Sequence, residues 1–338
     1  MNRKNFLSSI VVTTTAVPFI GTGKQHLFKD NPIIPSYLKP GDIIGITCTA
    51  GYTTKEEILP SILQMESWGF NIRIGNTIGK RVFTFGGTDA ERTNDLQQML
   101  DDQSIKAIMC ARGGYGSVRI IDNLDFTNFV SHPKWLIGFS DITVLHCHLN
   151  RNYGIASIHS KMCNSFSDNW NKAEPLQAET ILSIRQALTG EKMSYIIPAV
   201  IFNRQGNADG ELIGGNLKTI ETLAGTRSDI QTAGKIFFVE DTGEYLYSID
   251  RMFLNLKRTG KLSDLKALVI GGFKIKPDDP GDEFGRTLYE IVLEKVKEYS
   301  YPVCFDFPVG HQRNNYAFKC GVRHRLEMND TSATLKEI

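Results

Sequence analysis

Net charge is nearly absent from this chain of 338 residues: 38 Lys and Arg stand against 37 Asp and Glu. No long-range field therefore favours nucleic acid or an anionic membrane, and a small substrate suits the chain better. Cys-x-x-Cys pairs are missing as well. The cysteines Cys48, Cys110, Cys147, Cys163, Cys304 and Cys320 lie scattered, several inside apolar runs, and read as buried thiols, neither a zinc site nor a disulfide framework. No apolar run reaches the ~20 residues of a stop-transfer helix, so stable membrane insertion is not expected. Internal repeats and low-complexity tracts are missing too. What remains is 41% hydrophobic and 22% charged, enough for two globular domains that each bury a core.

The N-terminus differs in composition from the rest. Arg3 and Lys4 precede an uncharged stretch from Asn5 to Ile20, and Gly21-Thr22-Gly23-Lys24 follows. This is the layout of a signal peptide over 1–25, so a periplasmic or exported protein is expected, or a cytoplasmic one if the segment is only a tail. No cysteine follows the run, so a lipid anchor is not supported.

Beyond Ile33 apolar runs alternate with amphipathic stretches. Ile43 to Cys48, Phe70 to Ile74, Ile105 to Ala111, Trp135 to Phe139 and Ile155 to His159 read as strands. Glu56 to Trp68 and Asp89 to Asp101 between them carry apolar residues at helical spacing. Such alternation predicts a mostly parallel sheet covered by helices, an α/β fold. The reading divides the chain into an N-terminal domain over 33–165, a linker region over 166–204 and a C-terminal domain over 205–338. In the last, Gly214-Gly215-Asn216 opens a helix, and Lys235 to Val239, Leu265 to Phe273, Val303 to Val309, Arg323 to Met328 and Ala333 to Ile338 read as strands. Arg286 to Tyr299 reads as a helix.

Ligand crevices in open α/β sheets lie beyond the carboxyl ends of strands. Four polar groups follow apolar runs: Arg112-Gly-Gly-Tyr-Gly116, Ser140, Glu240-Asp241 and Gly310-His311. A serine on a strand-to-helix corner is built as a nucleophile elbow, but serine and aspartate are also the commonest helix caps. A nucleophilic serine needs a histidine base, and that histidine needs a carboxylate to fix its tautomer. Ser140, His311 and Glu240 can fill these roles. Each also has a plainer reading: a helix cap, a loop histidine, a solvated strand-end acid. Asp241 and Glu244 compete for the acid's role. The Gly113–Gly116 loop is either a tight turn or a source of an oxyanion-binding amide.

These motifs resemble the LD-carboxypeptidase family of serine peptidases, which includes murein tetrapeptide carboxypeptidases and microcin C self-immunity proteins. The resemblance spans about Ile33 to the C-terminus. It rests on Gly41-Asp42, Gly87-Thr88-Asp89 with Arg92, Arg112-Gly-Gly-Tyr-Gly116, Gly138-Phe-Ser-Asp-Ile-Thr143, Gly214-Gly-Asn-Leu217, Glu240-Asp241 with Asp250-Arg251, and Gly310-His311. It implies a flavodoxin-like N-terminal domain and a smaller C-terminal α/β domain with a small mixed sheet. It further implies a Ser140–Glu240–His311 triad, an oxyanion hole from the amides of Gly114 and Asp141, no metal or cofactor, and a homodimer.

The reaction expected on this basis is hydrolysis of the L,D bond to a terminal D-alanine in murein tetrapeptides. Cleavage of peptidyl or acyl-aminoacyl adenylates is the alternative. Arg112 and Tyr115 are the candidate substrate-binding residues, with Arg112 as a clamp for the terminal carboxylate. The chain departs from the family at Thr47-Cys48-Thr49-Ala50, where Pro-Ser is common, and at His159-Ser160-Lys161, where His-Gly-Pro is usual.

Three other readings compete. A Rossmann nucleotide site would need a glycine where Arg119 stands. A metal site would need His146, Cys147 and His148 to converge, although residues two apart on a helix diverge. A periplasmic binding protein gives no reason for serine, acid and histidine at three strand ends.

Overall fold

The computed structural model describes residues 32–338, so the expected signal segment lies outside the described residues. Strands β1 (Ile43–Thr47), β2 (Asn71–Ile74), β3 (Ile105–Cys110), β4 (Trp135–Gly138) and β5 (Ser157–His159) run parallel in the order 2-1-3-4-5. That is the doubly wound, flavodoxin-like order expected from the sequence. Helices Lys55–Ser67 and Asp89–Asp101 start at capping boxes, Thr54 with Glu57 and Thr88 with Glu91. Alternate strand residues feed two cores. Ile44, Ile46, Met109 and Ile137 pack with Ile58 and Met65 on one face, and Ile108 and Leu136 pack with Leu96 and Leu145 on the other.

The second half supplies β6 (Ser194–Pro198), β7 (Gly206–Asn216), β8 (Ile236–Glu244), β9 (Ala267–Ile275), β10 (Val303–Cys304), β11 (Phe318–Cys320), β12 (Arg323–Met328) and β13 (Ser332–Glu337). Seven of these eight strands form one sheet in the order 10-9-8-7-12-13-6. The long β7 joins its two parts, pairing antiparallel with β12 up to Glu211 and parallel with β8 from Leu212. The remaining strand, β11, crosses to the first sheet and pairs antiparallel with β5. The two halves also share one apolar core. From Leu136 and Leu145 it continues through Leu217 and Phe253 to Val239 and Ile270, so the ends of β4, β7 and β8 are held against each other.

Several elements differ from the sequence reading. The second sheet is mixed, as expected, but has more strands than the first. The first half of β7 comes from polar, glycine-containing sequence, and β6 is a five-residue Ser-Tyr-Ile-Ile-Pro run too short to show a period. Gly214 and Gly215 end β7 and do not begin a helix, which starts one residue after Asn216. A Cβ on Gly214 would lie 1.8 Å from the Phe238 carbonyl oxygen, so the pair of glycines marks a close strand approach. β8 runs on through Glu240 and Asp241 to Glu244, with a register irregularity between Val239 and Asp241. The run Val303 to Val309 is a strand only over Val303–Cys304, because Asp306 adopts φ 57° and breaks the ladder. The helix read over Arg286 to Tyr299 covers Leu288–Lys295, capped by Thr287.

Candidate active site

Ser140 stands between β4 and helix Thr143–Tyr153 with φ 63°, a left-handed conformation that is costly for a residue with a side chain. Its surroundings are pared down to make room. A Cβ on Gly138 would fall 2.8 Å from Ile142 Cγ1, and one on Gly113 would fall 3.1 Å from Ser140 Cβ. No side-chain capping hydrogen bond forms at this turn, so Ser140 does not serve as a helix cap. The Asp141 carboxylate instead accepts a 2.7 Å hydrogen bond from the Ser117 amide, which leaves it unavailable to Arg112. Burial pushes the Asp141 carboxyl up, against the pull of Ser117.

The Gly113–Gly116 loop faces the corner. Gly114 has φ 110°, and its amide donates to no described residue. Asp141 lies in the first turn after β4, where amides have no intrahelical acceptor. Arg92, fully buried, holds the loop from behind by donating to the carbonyls of Thr49 and Gly116.

Glu240 and His311 are brought together from different parts of the chain. His311 Nδ1 lies 2.5 Å from Glu240 Oε2, with the carboxylate fully buried and the imidazole at the surface of a cavity. Gly310 makes this possible. It adopts φ 100° and packs directly on Glu240, while its amide donates to Asn315 Oδ1 at 2.7 Å. A bridge from Gly272 to Gly310 seats the loop on the end of β9. Ser140 makes no hydrogen bond to His311; the link between them is Phe139, whose ring centre lies 4.9 Å from that of His311.

The rival acids are occupied elsewhere. Asp241 accepts from Asn216 Nδ2 and the Lys218 amide, both at 2.9 Å, and burial pushes its pKa up to about 6. Glu244 accepts from Ser248 Oγ at 2.6 Å. The histidines of the metal reading diverge: His146 bonds Ser157 and the Gly138 carbonyl, and His148 bonds Ser228.

Ser140 opens onto a cavity of about 350 Å³ that Gly114, Tyr115, Asp141, Asn216, Asp241 and Glu244 help to line. Tyr115 is therefore placed at the site. Arg112 is turned aside, with Nη1 donating to the Tyr52 carbonyl at 3.3 Å. His311 opens onto a neighbouring cavity of about 570 Å³ with Phe273, Lys274, Tyr289 and Gln312.

Sequence reasoning gave no role to Asn216 or Thr143, and noted Lys161 only as part of the departure at His159-Ser160-Lys161. Thr143 Oγ1 accepts from the Asn216 amide at 3.0 Å and fastens the Ser140 corner to the end of β7. Both residues sit in glycine-containing motifs already noted, which was the available signal. Lys161 Nζ donates to the Gln312 carbonyl at 2.7 Å, and burial together with Lys274 lowers its pKa to about 8.

What stands on these two sheets is a hydrolase of the serine-peptidase kind. Residues 44–160 match the LD-carboxypeptidase N-terminal domain and residues 209–326 the LD-carboxypeptidase C-terminal domain, and the chain belongs to that family. It is 29% identical over 308 residues to the Bacillus subtilis (strain 168) protein named "Probable murein peptide carboxypeptidase", covering 89% of this chain and 94% of the relative. The crystal structure of muramoyltetrapeptide carboxypeptidase from Oxalobacter formigenes superposes with TM-score 0.75 at 27% identity, covering 87% of this chain and 98% of that one. A structure of the microcin C7 self-immunity protein MccF in complex with aspartyl sulfamoyl adenosine shares the fold. It has TM-score 0.78 at 22% identity, covering 91% of this chain and 99% of that one.

Proposed function

We propose that the enzyme removes the terminal D-alanine from murein tetrapeptides by hydrolysing the L,D peptide bond, with Ser140 as nucleophile. The observation that carries the reading is the buried Glu240 paired to His311 beside a serine held at φ 63°. The relatives named as murein peptide carboxypeptidases supply the substrate class.

Glu240 accepts from His311 Nδ1–H, so Nε2 is the basic nitrogen. As Ser140 Oγ attacks the scissile carbonyl, its proton passes to Nε2. The amides of Gly114 and Asp141 take the negative charge on the carbonyl oxygen. His311 then returns the proton to the leaving nitrogen, the C–N bond breaks, and D-alanine departs. Water repeats the sequence on the Ser140 ester, with its proton held by His311 and then returned to Ser140 Oγ, and frees the tripeptide. Because Ser140 and His311 are not yet hydrogen-bonded, substrate would draw them together, as in other enzymes whose catalytic bonds tighten in the complex.

Adenylate cleavage is less well matched. Lys218 is the one cation on the described wall of the Ser140 cavity, set among Asp141, Asp241 and Glu244, so the wall carries no excess of positive charge to hold a phosphoryl group. Export through 1–25 and assembly as a homodimer complete the proposal. Digestion of a defined L-Lys-D-Ala tetrapeptide, read by mass, should release free D-alanine. Equal cleavage of L-Lys-L-Ala and amidated termini, or release of AMP from an acyl-aminoacyl adenylate instead, would refute it.

A further inference from the structure

If the carboxypeptidase reading holds, the chemistry itself says where the substrate's terminal carboxylate must go. His311 protonates the nitrogen of the leaving residue, and that residue's carboxylate is only two bonds from the same nitrogen. The anion therefore lies on the His311 side of the scissile bond, and the oxyanion amides lie on the Ser140 side.

The two cavities differ in charge accordingly. The Ser140 cavity is lined by three carboxyl groups, Asp141, Asp241 and Glu244, and one cation, Lys218. The His311 cavity is lined by Lys274 and Arg286 and by one carboxylate, Asp306, which accepts from the Tyr289 hydroxyl at 2.8 Å; Gln312, also on its wall, takes a hydrogen bond on its carbonyl from Lys161 Nζ. Lys274 stands two residues beyond Gly272, which bridges to Gly310 next to His311. Neither lysine has an ion pair with a described residue, whereas Arg286, on the same cavity wall, is already paired with Glu294. Lys161 reaches the site over the Phe139 ring, 5.6 Å from its centre, and the same ring precedes Ser140 in sequence and packs on His311. The one carboxylate near Lys161, Glu240, is committed to His311. Two cations set close together with no counter-anion of their own suit a carboxylate that arrives with the substrate.

We propose that Lys161 and Lys274 form the subsite for the terminal carboxylate, the role that the sequence suggested for Arg112.

The test compares a tetrapeptide ending in free D-alanine with the same peptide ending in D-alanine amide. Wild type, Lys161→Met, Lys274→Met and Arg112→Met are measured for kcat/KM, and each substitution is repeated in a Ser140→Ala background for binding by calorimetry. Each lysine substitution should cut the acid-over-amide preference by roughly 10–10²-fold, through KM more than kcat. Melting curves verify that the variants fold, and Lys161→Arg should restore part of the preference. An unchanged preference in both lysine variants, or its loss in Arg112→Met instead, would overturn the assignment. If wild type released no terminal residue, the carboxypeptidase reading would fall, and the binding comparison in Ser140→Ala would still decide the subsite.

Discussion

Adding one methyl group at Gly310 should disconnect the site. A Cβ there would lie 2.3 Å from Glu240 Cβ, 2.6 Å from Cγ and 2.7 Å from Oε2. Carbon atoms in contact prefer about 3.5–4.0 Å, so one partner must retreat by roughly 1 Å or more. Glu240 is fully buried in β8 and cannot, so the His311 loop must move. Gly310→Ala also places a side chain at φ 100°, worth about 1–2 kcal/mol, and overpacking adds about 1–3 kcal/mol.

Gly225→Ala is the control, since Gly225 has φ 78° and open space around its Cβ position; it should show only the backbone part of the cost. Urea unfolding should therefore rank Gly310→Ala below Gly225→Ala by about 1–3 kcal/mol. Displacing a catalytic base by 1 Å costs on the order of 10²-fold in rate, so kcat should fall by at least that in Gly310→Ala. Equal stability losses in the two variants, together with an unchanged kcat, would refute the packing of Gly310 on Glu240 and the role of that contact.

Ser140→Ala should abolish D-alanine release and leave the melting temperature nearly unchanged; residual turnover above a small fraction would exclude the serine mechanism. Glu240→Gln should lower kcat by roughly 10³–10⁴-fold through loss of the His311 tautomer, and Asp241→Asn by much less; the reverse ranking would move the acid's role. Asp241, raised to about 6 by burial, lends stability that is complete below about pH 4 and is lost as pH rises through about 6. The Asp241→Asn variant should therefore gain roughly 3 kcal/mol on wild type between pH 4 and 7. A difference in urea midpoints that stays flat with pH would contradict this. N-terminal sequencing of protein from fractionated cells should find a start between about Gly21 and Asp30 in the exported fraction, whereas an intact Met1 in the cytosol would disprove export.

Much of the first domain was legible because its central strands are buried on both faces and its helices are amphipathic, so two periodicities separate cleanly. The Ser140 corner was legible for the same reason: an apolar strand stops at a small-residue turn. The second domain was harder. β6 alternates burial along its length yet exposes Ile196, and the polar end of β8 remains a strand because its neighbour β9 is long enough to pair with it. The pairing of Glu240 with His311 depends on a bulge and on Gly310, which are tertiary facts with no local periodic signal. The tilt of Arg112 toward Tyr52 and the approach of Lys161 to Gln312 were equally invisible, since each joins segments remote in sequence.

The crossing of β11 into the first sheet has a consequence for biogenesis. As the ribosome releases the chain, β5 remains a bare sheet edge until Phe318–Cys320 emerge, long after β5 itself. An uncovered edge can recruit another nascent chain, so the N-terminal half has reason to depend on a holdase or on delayed folding. Covering that edge also draws in the loop that bears His311, a few residues upstream.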